Sequence, residues 1–246
     1  MSSTRKKIGV IVPSSNTTVE SDFVRVLPEN TSLHSSRMWV VATGMAVLER
    51  MNQDLESCSK QIGSAEVDVI AYACTSGSFV GGAGFDRKIR DQIMGWSGGI
   101  PTVPTSTAVL QALQLLGMKR ISVVSPYPDD TNQSLSSYLE SNGFSVTSLA
   151  GRGHKMNREI GAETPEAITK FAYDNLSANA DGLFLSCTNW RAMEAVSILE
   201  EMTGKPVVTS NQATIWATFC ALRRTGQMNA YGRLFTEHSN AYRLAA

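Results

Sequence analysis

The chain has 246 residues, enough for one large domain or two small ones, and its 42% hydrophobic and 18% charged residues are typical of globular proteins. Because 22 Lys and Arg balance 22 Asp and Glu, the formal charge is zero, and nothing electrostatic favours nucleic acid or an anionic membrane as a partner. The apolar run Ile8–Val12 is too short for a signal peptide, so we expect a cytoplasmic protein that does not contact membranes.

Short apolar runs alternate with amphipathic stretches along the chain, as expected for parallel sheets covered by helices. The pattern predicts eight strands, over residues 8–12, 33–41, 67–73, 102–104, 120–125, 144–150, 181–186 and 206–208. It predicts helices over residues 17–27, 45–65, 80–95, 105–116, 130–142, 164–178, 190–203 and 211–224. The last residues, from about 228, have no clear pattern.

Two strand-and-loop blocks recur along the chain with one spacing. Lys7–Pro13 resembles Arg120–Pro126, and Val67–Thr75 resembles Ala180–Thr188, each partner lying 113 residues further on. We therefore predict two similar α/β halves, residues 1–117 and 118–226, followed by a segment 227–246 of unassigned placement. Ligands of open parallel sheets bind beyond the carboxyl ends of the strands, where all four matched loops fall. The repeat thus predicts one cleft shared by both halves.

The four cysteines contain no Cys-x-x-Cys pair, and in a reducing compartment we expect free thiols. Cys74 and Cys187 each end a buried strand and precede a threonine, near helix N-terminal amides that favour a thiolate. Either alone would be read as a small buried hydrophobe. Their equivalent positions in the repeat favour a chemical role, whereas Cys58 and Cys220 lie on apolar helix faces and are predicted to belong to the core.

Two loops can present backbone amides to an anion. Ser14–Asn16 precedes a predicted capping box formed by Thr17 and Glu20, and Thr75–Ser78 is similarly rich in hydroxyls, although both also fit ordinary turns. Arg37 is interpreted either as a carboxylate ligand or as a solvated charge. The three histidines lack zinc-type spacing and no nucleotide-binding motif occurs, so we predict neither a metal nor a cofactor.

Several blocks resemble the maleate cis-trans isomerases of the aspartate/glutamate racemase superfamily, close relatives of the arylmalonate decarboxylases. These blocks are Pro13–Glu20, His34–Met38, Tyr72–Gly77, Ser125–Tyr127, Met156–Gly161 and Gly204–Thr209. The resemblance runs from Ile8 to about Leu222. It implies two flavodoxin-like halves related by a pseudo-twofold axis, with the active site between them.

The resemblance implies that Cys74 is the nucleophile and Cys187 its acid/base partner. It implies further contacts to the substrate carboxylates from Asn16, Tyr127 and Asn157, and we expect Thr75, Ser76 and Thr188 to add hydroxyl and amide donors. The chain departs from the maleate pattern at Ser78–Phe79 and at Asn189–Trp190, and the size of Trp190 predicts a narrowed or reshaped pocket.

The function expected from these residues is cofactor-independent cis-trans isomerisation of a small dicarboxylic acid, of the maleate-to-fumarate type. A two-cysteine racemase of an amino acid or hydantoin is the alternative, followed by a decarboxylase-like enzyme or a non-catalytic module that binds small acids. The resemblance implies that decarboxylases keep only the second cysteine, which favours isomerisation here. A homo-oligomer is left open.

Overall fold

The computed structural model describes residues 4–226 and 230–238, and it contains two separate four-stranded sheets in which every strand pair is parallel. The first has the order β2-β1-β3-β4 and the second the order β6-β5-β7-β8. The strands are β1 (Lys6–Pro13), β2 (Thr31–Met38), β3 (Val69–Tyr72), β4 (Thr102–Pro104), β5 (Arg120–Ser125), β6 (Ser145–Gly151), β7 (Gly182–Leu185) and β8 (Val207–Thr209). All eight strands occur where the sequence predicts them.

Helices connect and cover the strands of both sheets. They are α1 (Val19–Arg25), α2 (Met45–Met51), α3 (Leu55–Ser64), α4 (Thr75–Phe79), α5 (Phe85–Trp96), α6 (Thr105–Leu115), α7 (Asp129–Ser141), α8 (Asn157–Ala162), α9 (Pro165–Asp174), α10 (Val196–Thr203), α11 (Ser210–Ala221) and α12 (Arg233–His238), with 3-10 turns at Asn52–Asp54 and Arg191–Ala195. The sequence pattern missed α4, α8 and α12, which are too short to show an apolar period.

The internal repeat extends to strand register. Ile8 of β1 pairs with Val69 of β3, and Ile121 of β5 pairs with Gly182 of β7, so both partners have shifted by the same 113 residues. β3 and β7 are buried along their whole length, as expected for central strands of parallel sheets that helices cover on both faces. The prediction of two similar α/β halves is confirmed.

The two halves pack closely against each other through α11, α6, α4 and α7. Thr75 Oγ1 donates to Ser210 Oγ at 2.9 Å, and Thr214 Oγ1 donates to Thr105 Oγ1 at 2.9 Å, all four side chains being buried. One hydrophobic cluster includes residues of both sheets. Because no gap in packing marks the junction, the boundary at residues 117 and 118 stays a prediction.

The C-terminal segment contributes α12, which packs on α11 of the second half. Leu234 and Phe235 are fully buried, and Trp216 Nε1 donates to the His238 carbonyl at 3.0 Å. The rest of the predicted segment, 227–229 and 239–246, lies outside the described residues. Among the helices in residues 4–226 and 230–238, none combines the length and apolar character needed to cross a membrane.

Candidate active site

The two repeat-related cysteines occupy equivalent strand ends. Cys74 follows β3 as the N-cap of α4, and its Sγ accepts a hydrogen bond from the Gly77 N–H at 3.3 Å. Cys187 follows β7, and its Sγ accepts from the Asn189 N–H at 3.4 Å. Both are buried and both border the same cavity. The repeat therefore brings two thiols, each with an amide donor, to one site.

Burial controls the ionisation of these thiols. It raises the pKa of Cys74 to about 11, against the lowering effects of the Gly77 amide and the Ser76 hydroxyl. It raises the pKa of Cys187 to about 12, against the Asn189 amide and the Tyr127 hydroxyl. The predicted amide donors are in place, but desolvation outweighs them, so both thiols are mainly protonated at neutral pH.

The cavity lies between the halves and is small. Its volume is about 30 Å³, room for roughly two water molecules. All eight side chains predicted from the sequence line it: Asn16, Cys74, Thr75, Ser76, Tyr127, Asn157, Cys187 and Thr188. Their convergence from both halves matches the expected shared cleft, while their individual roles in catalysis stay predictions.

Asn16 closes the loop after β1 in a way that the sequence did not suggest. Its Oδ1 accepts from the backbone N–H groups of Thr18 at 2.9 Å and Val19 at 3.1 Å, so Asn16 caps α1. The predicted capping box of Thr17 and Glu20 is wrong, because α1 begins at Val19 and its N-cap makes no side-chain bond. The Asn16 Nδ2 donates across the cleft to Thr188 Oγ1 at 3.1 Å.

Arg37 supports this loop from behind. It forms an ion pair with Glu20, and its Nη1 donates to the carbonyls of Ser14 at 2.9 Å and Asn16 at 3.1 Å. The carboxylate that Arg37 contacts is therefore the one on Glu20. Arg37 is not part of the cavity wall formed by the described residues.

Asn189 joins three loops around the cavity, and the sequence interpretation gave it no binding role. Its Oδ1 accepts from the Thr17 N–H at 2.9 Å, and its Nδ2 donates to the Asn157 carbonyl at 2.7 Å. Asn157 Nδ2 in turn donates to Ser15 Oγ at 2.8 Å. The available signal was the repeat itself, because Asn189 is the equivalent of Ser76, which was singled out.

The predicted effect of Trp190 on the pocket is wrong. Its side chain is fully buried, packs edge-on against Phe171 with ring centroids 6.4 Å apart, and does not line the cavity. Ser78 and Phe79 also point away from the cavity: Ser78 Oγ donates to the Thr75 carbonyl at 2.8 Å, and Phe79 stacks on Tyr138. Of the four departures from the maleate pattern, Ser78, Phe79 and Trp190 thus concern packing behind the site, and Asn189 alone lines the cavity.

A strap of residues 39–51 covers the cavity and was not anticipated as part of it. It docks on the second half where the Thr43 N–H donates to the Lys155 carbonyl at 3.0 Å, and the Asn157 N–H donates to the Val41 carbonyl at 3.1 Å. Its apolar side chains form one wall of the cavity together with Ile160: Val40, Ala42, Leu48 and Met51. The strap thus contributes to the burial that raises the pKa of both thiols.

Neutral groups supply the hydrogen-bond donors of the cavity. Among the described lining residues there is no Lys, Arg or His, so a bound carboxylate would be held by amide N–H and hydroxyl groups. Such donors are strong in a site that excludes water. The described residues also contain no group of three or more His, Cys, Asp or Glu side chains able to hold a metal ion.

A two-halved α/β protein with paired thiols in the cleft between its sheets is the class that this fold and site define. The chain belongs to the arylmalonate decarboxylase (Amdase) family, whose sequence pattern it matches over residues 8–235.

Named relatives fall into two activities. The chain is 27% identical to the maleate isomerase of Geobacillus stearothermophilus over 85% of this chain and 89% of that protein. It is 29% identical to the arylmalonate decarboxylase of Bordetella bronchiseptica, over 94% and 96% of the two chains. Overall sequence identity therefore does not distinguish an isomerase from a decarboxylase, and the distinction has to come from the residues of the site.

A solved structure with the same architecture carries a reaction intermediate. It is a cysteine-to-serine variant of the maleate cis-trans isomerase of Nocardia farcinica with a covalently bound succinylcysteine intermediate. The two chains superpose with a TM-score of 0.88 at 26% identity, over 94% of this chain and 98% of that one.

Proposed function

We propose that this protein is a cofactor-independent cis-trans isomerase that converts a small cis-enedioate of the maleate type to its trans isomer. The observation that carries the proposal is the pair of buried thiols, Cys74 and Cys187, at equivalent strand ends on one cavity. The maleate isomerases among the relatives, one with a succinylcysteine intermediate, support it. Since both thiols must stay reduced, we place the activity in the cytoplasm.

In the proposed first step, the Cys74 thiolate adds to one alkene carbon while the Cys187 thiol gives its proton to the other. The product is a succinyl thioether on Cys74 and a thiolate on Cys187, so one negative charge moves from one sulfur to the other. The former double bond is now a single bond and can rotate. After rotation, the Cys187 thiolate removes a proton from the carbon that it had protonated, and the carbon–sulfur bond breaks. The trans enedioate leaves, with Cys74 again a thiolate and Cys187 again a thiol.

The ionisation order of the thiols agrees with these roles. Burial raises the pKa of both thiols, and the charge of one thiolate opposes the ionisation of the other, so the pair loses one proton well before the second. A singly ionised pair then holds one nucleophile and one acid, as the reaction requires.

Neutral hydrogen-bond donors stabilise the negative charge that develops on the substrate. As the sulfur adds, negative charge builds on the carboxylate beside the protonated carbon. We assign its stabilisation to the hydroxyls of Thr75, Tyr127 and Thr188, which would exchange their acceptors in the free protein, Ser210 Oγ, Cys187 Sγ and the Ala73 carbonyl, for the substrate oxygen. We assign the positioning of the carboxylates to Asn16 and Asn157. These donors are buried and fixed by their neighbours, which is the condition under which they lower a barrier most. Backbone amides of Ser76 and its neighbours complete the set.

A two-thiol racemase is the second candidate, favoured by the same pair of sulfurs facing one cavity from two halves. It would use one thiol to remove an α-proton and the other to return a proton to the opposite face. Decarboxylation needs only one of these thiols, so it leaves Cys74 without a role.

The test follows the alkene protons of maleate by NMR with purified protein, reduced thiols and no added cofactor. Wild type and Cys58→Ala should form fumarate, because Cys58 lies on the buried face of α3 and outside the cavity wall, whereas Cys74→Ala should be inactive. Fumarate formation by Cys74→Ala at the wild-type rate would refute the covalent route. Inversion of a chiral amino acid or hydantoin, with deuterium uptake at its α-carbon and no conversion of any cis-enedioate, would establish the racemase instead.

A further inference from the structure

Asp22 is a buried carboxyl to which the proposed reaction gives no role. It lies on α1 with 1% of its surface exposed and is not part of the cavity wall formed by the described residues. Its Oδ2 accepts from Asn211 Nδ2 at 2.7 Å, and its Oδ1 faces Arg25 Nη1 at 3.3 Å. A carboxyl placed so deeply between the two halves is costly, so its contacts call for an explanation.

The contacts of Asn211 lead from Asp22 directly to the catalytic loops. The same Asn211 Nδ2 also donates to the Thr188 carbonyl at 3.0 Å, in the turn that carries Cys187. Thr188 Oγ1 donates to the Ala73 carbonyl at 3.1 Å, next to Cys74, and accepts from Asn16 Nδ2. A single side-chain amide therefore fixes the turn that joins both cysteine loops to Asn16.

We infer that Asp22 is a positioning residue of the active site, whose ionised carboxylate holds the Asn211 amide in the orientation that anchors Thr188. The reaction affected is the proposed isomerisation, so the inference rests on the proposed function. A carboxylate can only accept hydrogen bonds, and it therefore requires Asn211 to present its NH₂ group. With that group turned toward Asp22, its second N–H reaches the Thr188 carbonyl.

Protonation of Asp22 removes this constraint. The neutral acid has an O–H that needs an acceptor, and Asn211 Oδ1 is buried without a hydrogen-bond partner among the described residues. A half-turn of the Asn211 amide lets Oδ1 accept from that O–H, but it sets Oδ1 against the Thr188 carbonyl, moves the NH₂ group away from both of its acceptors and breaks the anchor. Asp22 changes its protonation state near neutral pH, since burial raises its pKa to about 7 against the lowering effects of Asn211 and Arg25.

The charges around Asp22 belong to two elements. Arg25 is on α1 with Asp22, and Glu194 and Arg191 belong to the 3-10 turn at Arg191–Ala195. Arg25 Nη1 also lies 3.3 Å from Glu194 Oε1, and Arg191 Nε donates to the same atom at 2.9 Å. Glu194 thus contacts these arginines rather than Asn211, which makes Glu194→Gln a matched control for the loss of a carboxylate beside Arg25.

The experiment compares Asp22→Asn with Glu194→Gln and wild type. At pH 8 the amide oxygen introduced by Asp22→Asn is drawn to Arg25, which turns the new NH₂ group toward Asn211 and reproduces the acid form. We expect Asp22→Asn to lower kcat/KM for maleate about tenfold, the effect of one lost hydrogen bond, while its melting temperature rises because a buried charge is gone. As the pH falls below about 7, the kcat/KM of wild type should drop by the same tenfold, whereas the kcat/KM of Asp22→Asn should show no step near pH 7.

A second readout does not depend on the substrate. The rate at which iodoacetamide labels Cys187, followed by mass spectrometry from pH 6 to 8, should show an extra step near pH 7 in wild type and in Glu194→Gln, and none in Asp22→Asn. If wild type does not convert maleate, the proposed function fails, but labelling still tests the inference. Wild-type kcat/KM together with a wild-type labelling profile in Asp22→Asn would overturn it, as would equal loss of kcat/KM in Glu194→Gln.

Discussion

The raised pKa values of the two thiols make the rate strongly dependent on pH. The perturbation is a change of pH from about 7.5 to 9.5, above the titration of Asp22. With the pKa of Cys74 at about 11, only about one site in a thousand holds a thiolate at pH 8, and each further unit multiplies that fraction about tenfold. The sign is fixed by burial: it keeps the proton on sulfur, so activity is gained as the pH rises.

We therefore expect kcat/KM for maleate to rise about tenfold per pH unit and about a hundredfold over this range, without reaching a plateau. The assay is initial-rate fumarate formation by NMR. Iodoacetamide labelling of Cys74, without substrate, is the parallel measurement and should follow the same slope. A plateau with an apparent pKa near 8 in both measurements would refute the reasoning, because it would show that the reacting thiol is solvated and not enclosed beneath the strap.

Three further predictions concern positioning, packing and stability. Asn16→Ala should lower kcat/KM about a hundredfold, because it removes a hydrogen-bond donor to the substrate carboxylate, and a wild-type value of kcat/KM would exclude that role. Gly77→Ala should destabilise the fold by about 1–3 kcal/mol in urea unfolding, since a Cβ there would lie 2.5 Å from the Tyr72 hydroxyl and 2.9 Å from Cys74 Sγ; unchanged stability would contradict this packing. For Asp22→Asn, the gain in unfolding free energy over wild type should grow by up to about 4 kcal/mol from pH 4 to 8, because the folded wild type holds a proton that the unfolded chain has lost; a pH-independent difference would contradict the burial of this carboxyl.

The sequence predicted the sheets well because the signals that define them are local. A buried parallel strand is a short apolar run, and the spacing of 113 residues was visible in the two blocks that contain Pro13 and Cys74. The same spacing reappears in the register of β1 with β3 and of β5 with β7, which no composition argument could have supplied. The residues that the repeat assigned to the cleft therefore line the cavity, as predicted.

Predictions that needed side-chain direction were less successful. Trp190 follows the catalytic turn in sequence, but the backbone there turns its ring into the core. The capping box failed because Asn16, two residues before the N-cap, supplies the acceptor itself. The partners of Asn189 and Asp22 lie 172 and 189 residues away, and a single sequence does not show contacts at that range. Only the repeat, which pairs Asn189 with Ser76, pointed to Asn189, and Asp22 had no such signal.

The differences between the halves matter as much as their similarity. In a fully symmetric cleft two equivalent thiols would still ionise one at a time, because their charges repel, but either sulfur could equally be the nucleophile. At the repeat position of Ser14, the second half has Tyr127, whose buried hydroxyl is hydrogen-bonded to Cys187. Cys74 instead caps a helix through the Gly77 amide. These substitutions give the two sulfurs different surroundings, and the different hydrogen-bond partners make the two sulfurs inequivalent as nucleophile and acid.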